Sequence, residues 1–160
     1  MLRVIIKVLH EIGAVGVLGS FACCIVLLMS APRHAPAGFA AACQGIAAIA
    51  HWLLVPALAL TVISGLLAIA ATGAYIDAGW AWIKALLGLS MFEGTLLTVA
   101  SSARHAAELS AMAASGHPDA AQLDQMLRTE WGGLWVLLAL SVLNIVLAVW
   151  RPRLPGYAAP

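Results

Sequence analysis

Residues 45–72 read GIAAIAHWLLVPALALTVISGLLAIAAT, twenty-eight positions without an Asp, Glu, Lys or Arg. A helix needs about 20 mostly apolar residues to cross the hydrocarbon core of a bilayer. A backbone in lipid must also bond its own amides, which a helix does. The stretch predicts a transmembrane helix. Working outward, three more stretches qualify: about Val4 to Met29, Trp80 to Ala103, and Trp131 to Trp150. None shows the alternation of a β-barrel strand.

Composition points the same way. The 160 residues are 63% hydrophobic and 9% charged, with a mean hydropathy of +0.99. A soluble domain is about 45–50% apolar and about 25% charged. A soluble globular fold is excluded, and so is a disordered chain. Eight Lys plus Arg against seven Asp plus Glu provide no basic surface for nucleic acid. The expected architecture is all-α: one transmembrane domain over residues 1–160, an integral membrane four-helix bundle running up-down-up-down. Its spans are about 4–29, 45–72, 80–103 and 131–150, with the lipid bilayer as its first partner.

The breaks between spans carry turn chemistry. Ser30-Ala31-Pro32-Arg33-His34-Ala35-Pro36 ends the first. The short run from Thr72-Gly73 to Asp77-Ala78-Gly79 predicts that the second and third helices are antiparallel neighbours. Arg104 to Ala114 reads as a polar-faced extension of the third helix, with Arg104 and Glu108 paired at i,i+4. Gly116-His117-Pro118-Asp119 then breaks the chain. Ala120 to Glu130 reads as a short amphipathic helix before the fourth span. Trp52, Trp80, Trp82, Trp131, Trp135 and Trp150 fall near span ends, as an interfacial aromatic belt does. The apolar run after Arg3 and Lys7 is too long for a signal peptide and lacks a convincing cleavage site.

Orientation follows from Lys and Arg. One side collects Arg3, Lys7, Lys84, Arg151 and Arg153, the other Arg33, Arg104 and Arg128. The positive-inside rule predicts that both termini are cytoplasmic. Cys23, Cys24 and Cys43 lack the spacing of a zinc site. Gly13, Gly16 and Gly19 form a small-residue face that lets helices approach closely, within the bundle or in a homo-oligomer.

Ionisable groups in lipid are costly, about 2.5–3.5 kcal/mol each on insertion scales, so the few present are the functional candidates. Lys7, His10 and Glu11 on the first helix and Lys84 on the third form an inner group. Lys7 and Glu11 can pair at i,i+4, or the group can form a ligand or proton-handling site between helices one and three. His51 and His105 fall at similar depth near the opposite side. Two imidazoles facing each other across a bundle would hold a b-type haem iron; two interfacial histidines without a shared ligand are the other reading. Glu93 falls near the middle of the third span, with Lys84 on roughly the opposite face, so either its partner comes from another helix or desolvation keeps it protonated. Pro56 is expected to kink the second helix.

Three segments resemble a loose group of small bacterial membrane proteins. They are Ile6-Lys7-Val8-Leu9-His10, Pro56-Ala57-Leu58-Ala59-Leu60-Thr61 through Gly65, and Trp82-Ile83-Lys84-Ala85-Leu86-Leu87. The group comprises predicted integral membrane proteins of unknown function, copper-resistance D-like membrane domains and the haem-carrying membrane protoporphyrinogen oxidase. The resemblance covers roughly the first three helices. It implies haem b as cofactor, His10 as a ligand candidate and Lys84 close to the same site. The chain departs from the oxidase-like pattern at Phe92-Glu93, where a His is expected, and at Arg33, which comes later than the pattern's Arg.

The cofactor-binding candidates are therefore His10, His51, His105, Lys84 and Glu93, with the three histidines as metal ligands. The functional expectation is a haem-binding membrane protein in redox or haem-related chemistry. The alternatives are a non-enzymatic accessory subunit of a membrane complex or transport system, and a small oligomeric ion or metal permease using Glu93 and the histidines.

Overall fold

A computed structural model of the chain describes residues 1–32, 35–76, 78–115 and 120–150. The expected Arg33, His34, Asp77 and Gly116-His117-Pro118-Asp119 features, and Arg151 and Arg153, lie outside the described residues. Every described element is helical: α1 (Leu2–Ser30), α2 (Pro36–Ile49), a π-helical segment (Ala50–Leu54), α3 (Val55–Ala70), α4 (Gly73–Ile76), α5 (Gly79–Ser115) and α6 (Ala120–Trp150). Four rods are long and apolar enough to cross a membrane: Leu2–Ser30, Pro36–Ala70, Gly79–Ala114 and Ala121–Trp150.

Local chemistry sets the boundaries. α1 stops at Ala31, which is extended (φ −63°, ψ 129°) because the following Pro32 disfavours a helical residue before it. Pro36 then opens α2 at a position where its missing N–H costs nothing. From Pro36 to Ala70 the second rod is continuous, with the π turn inside it immediately before Pro56. Pro56 has no N–H for the carbonyl one turn back and its ring crowds that carbonyl, and the wider π turn accommodates both. The perturbation expected at Pro56 thus takes the form of a π segment.

Two sequence boundaries change. The second helix starts nine residues before the hydropathic span, at Pro36 rather than Gly45. The short amphipathic helix expected before the fourth span is not separate: Ala120–Trp150 is one helix of 31 residues. No proline interrupts it, and Gly132 and Gly133 sit within it in helical conformation. The polar extension of the third helix does form, since α5 runs to Ser115.

The first rod packs on the second, the second on the third through α2 and α3 against α5, and the third on the last. α1 lies on α3, with Arg3 reaching the Ala71 carbonyl (3.2 Å) and His10 reaching Thr61. A Cβ on Gly13 would strike Thr61 Oγ1 and lie 2.9 Å from the Ala57 carbonyl oxygen; one on Gly16 would lie 2.9 Å from Ala57 Cβ. These two glycines are therefore used inside the chain, to seat α3 on α1, rather than on a face open to a second copy. α5 lies on α6, with Ser102 bonded to Glu130 and Asn144 to the Lys84 carbonyl.

The two ends of the bundle are packed differently. At the far end, Phe21, Cys24, Leu28, Phe39, Cys43, Ile46, Leu109 and Met126 interdigitate in one apolar core. At the near end, which holds Arg3 and Lys84, the facing positions are polar or small, including His10, Thr61, Gly65, Ala81, Gly88 and Asn144, and a cavity of about 650 Å³ remains between the helices. The outward surface is apolar, with Val15, Val26, Ile63, Leu97 and Val136 exposed. Such a helix surface suits lipid rather than water.

Candidate functional site

The cavity at the near end is walled by α1, α3, α5 and α6 and floored by the α3–α5 connection, where Tyr75 and Trp80 meet edge to face at 5.6 Å. His10 is fixed on its wall. Its Nδ1 lies 3.0 Å from the Thr61 carbonyl oxygen and 3.1 Å from Ser64 Oγ. A carbonyl only accepts, so Nδ1 carries the hydrogen and the neutral ring keeps its lone pair on Nε2. Ser64, fully buried, gives its own hydrogen to the Leu60 carbonyl at 2.6 Å, which positions Oγ beside the ring. Metal-bound histidines are held in the same way, with the second nitrogen tied to a carbonyl.

The rest of the wall is charged at the rim and apolar within. Arg3, Lys7 and Lys84 contribute three cations and Glu11 one carboxylate, while Ile6, Val62, Leu66, Ile69 and Ala81 supply hydrocarbon. Asn144 holds the Lys84 backbone by a 3.3 Å hydrogen bond, tying the α6 wall to the α5 wall. Of the sequence candidates, the fold brings His10 and Lys84 to this one space.

The other candidates are elsewhere. His51 is exposed, and its ring meets its neighbour Trp52 edge to face at 4.9 Å. His105 is turned to α6, its ring donating Nδ1–H to Glu130 Oε1 at 2.9 Å. The facing His51–His105 arrangement does not form. His51 is the second residue of the π segment. Glu93 is exposed on the outside of α5, away from the cavity. Among the described residues, no group of three or more His, Cys, Asp or Glu side chains is placed to hold a metal ion.

Sequence reasoning missed Glu130. It is 2% exposed, at the far end, and accepts both the Ser102 hydroxyl (2.7 Å, on Oε2) and the His105 ring. The signal was present in the spacing. Leu123, Met126, Glu130, Leu134 and Leu137 recur at three and four residues and all are buried, so Glu130 sits on the apolar stripe of α6. His105 also lines a smaller pocket of about 190 Å³ with Glu108, Gln125 and Thr129.

No family model, curated protein or solved structure matches the chain.

Proposed function

We propose that the chain is an up-down-up-down membrane protein that would bind b-type haem in the near-end cavity, with His10 as the residue that would hold the iron, and that it acts in redox or haem-related chemistry. The observation that carries this reading is the His10 ring: it lines the cavity, its Nδ1 is committed to Thr61, and Nε2 is the nitrogen left to ligate. The donor set fits the group on two further counts. Three cations against one carboxylate leave positive charge for a ligand with two carboxylates, such as the propionates of haem. The hydrocarbon wall suits the macrocycle, and about 650 Å³ lies within the usual range for ligand sites.

Each residue then has a physical task. Thr61 and Ser64 hold the imidazole in one tautomer and one orientation. Arg3, Lys7 and Lys84 attract and orient the carboxylates, and Arg is suited to doing so bidentately. Ile6, Val62 and Leu66 keep water from the interior face. When bound, haem would supply one-electron chemistry, tuned by the residue that holds the iron and by burial. In this reading the near end, rich in Lys and Arg, faces the cytoplasm of a bacterium and the bundle spans its inner membrane.

The test is an absorption spectrum of protein purified from haem-replete cells. A Soret band is expected, lost in His10→Ala and retained in His51→Ala and His105→Ala. A colourless unmutated preparation would refute haem binding. A band that survives His10→Ala would refute the ligand assignment.

A further inference from the structure

We infer that the outer face of α5 is a dimer interface for a second copy of this chain, with Glu93 and Ser90 at its centre. Leu86, Leu89, Glu93 and Leu96 succeed one another at spacings of three, four and three, the a and d positions of a heptad repeat. All four are exposed: Leu86 is 63%, Leu89 56% and Leu96 47% accessible, and Glu93 is exposed among them. Ser90 and Leu97, also exposed, flank the seam, and Ala103 continues it one heptad beyond Leu96. Three leucines alone would be an ordinary lipid-facing surface. The carboxyl at a central a position makes it different, because an ionisable group facing hydrocarbon is costly.

Among the described residues neither Glu93 nor Ser90 makes a side-chain hydrogen bond or ion pair. A partner from outside these residues would relieve that cost. On α5 the nearest cationic positions, Lys84 and Arg104, are nine and eleven residues from Glu93, about 14 and about 16 Å along the axis. In a copy inserted with the same orientation, α5 presents no cation at the depth of Glu93. It does present Ser90 and Glu93 themselves. A hydroxyl donor and a carboxyl acceptor one turn apart on one face are self-complementary about a twofold axis: each Ser90 donates to the Glu93 of the other copy, and the bond is made twice. This is an isologous contact, in which each copy offers the same patch. A single polar residue at an a position also fixes register, since a slip of one turn would leave both carboxyls against leucine. The dimer does not depend on whether the cavity holds haem.

The test uses the full chain reconstituted in bilayers. With one fluorophore per chain, two-step photobleaching is expected at protein-to-lipid ratios where randomly placed monomers rarely coincide. In a background where Cys23, Cys24 and Cys43 are Ala, Leu86→Cys and Leu96→Cys are expected to cross-link to dimers on oxidation. Leu67→Cys on α3 and Val142→Cys on α6, both exposed, are not. Glu93→Gln retains the dimer, because an amide still accepts from Ser90. Glu93→Leu weakens it by about three- to tenfold, the loss expected for two interhelical hydrogen bonds in a membrane. One-step bleaching throughout overturns the inference. So does equal cross-linking from the control positions, or a dimer indifferent to Glu93→Leu. Cross-linking of Leu86→Cys in cells to a different protein, with no second copy, also overturns it.

Discussion

Replacing Glu130 by Ala should cost the bundle about 3 kcal/mol. Glu130 accepts two hydrogen bonds from α5, from Ser102 at 2.7 Å and from His105 at 2.9 Å, and it is 2% exposed. Interhelical hydrogen bonds in membrane proteins average about 0.6 kcal/mol and reach about 1.7, so the two together are worth about 1–3 kcal/mol. Alanine also strands the donors, at about 1–3 kcal/mol for a buried group that finds no new partner. Both donors have some escape. The Ser102 hydroxyl can turn to a carbonyl of its own helix. The His105 side chain is 17% exposed and borders the smaller pocket. The stranding therefore adds about 1 kcal/mol rather than the full sum. Glu130→Gln, of equal size, keeps one acceptor oxygen but turns an NH₂ toward the second donor, and should lose about half as much. The assay is reversible unfolding in mixed detergent micelles, with a double-mutant cycle against His105→Ala. A coupling of about 0.5–1.7 kcal/mol is expected between the two positions. If Glu130→Ala unfolds within 0.5 kcal/mol of the unmutated chain, the buried carboxylate does not hold α5 to α6 and the reasoning fails.

Gly13→Ala places a methyl 2.9 Å from the Ala57 carbonyl oxygen and against Thr61, so α1 and α3 must part; a loss of about 1–3 kcal/mol is expected in the same unfolding assay. Gly19→Ala, with nothing within 4 Å of the new methyl, should be neutral or slightly stabilising, and a loss as large as at Gly13 would refute the steric argument. Thr95→Val should raise stability by about 1 kcal/mol, because Thr95 Oγ1 is buried without a partner among the described residues and valine keeps its shape; a lower melting temperature would show that the hydroxyl is bonded after all. Ser64→Ala removes one of the two groups against His10 Nδ1 while the Thr61 carbonyl remains, so any Soret band should persist at full intensity with a small shift.

Hydropathy located the rods because lipid tolerates almost no other backbone, and each rod is apolar on nearly every side. That same uniformity hides which side faces which. An ordinary amphipathic helix announces its buried face by contrast with a polar one, and here Val15 and Val17 differ in burial without differing in chemistry. His10 and Lys84 were legible as a pair because both stand near one end of their helices and the connections are short. His51 was placed by its depth along the span, and depth does not record which way a side chain turns; it stands exposed in the π turn before Pro56. Glu130 was passed over as a residue near a span end. Its stripe continues from Leu123 to Leu137 on a helix that does not stop at the expected boundary.

The sequence by itself determined the class: four rods, their approximate lengths, and a short set of polar groups where any chemistry must lie. It could do so because the free energy of burying backbone and charge in hydrocarbon depends on residue type alone, position by position. Only the tertiary structure decided how those groups are used. It placed His10 on a cavity wall with its tautomer set by a carbonyl on another helix, locked Glu130 between two donors, and left Glu93 facing outward. These outcomes depend on the rotation of each rod about its own axis. Contacts such as Gly13 against Ala57 set that rotation, and hydropathy does not record it.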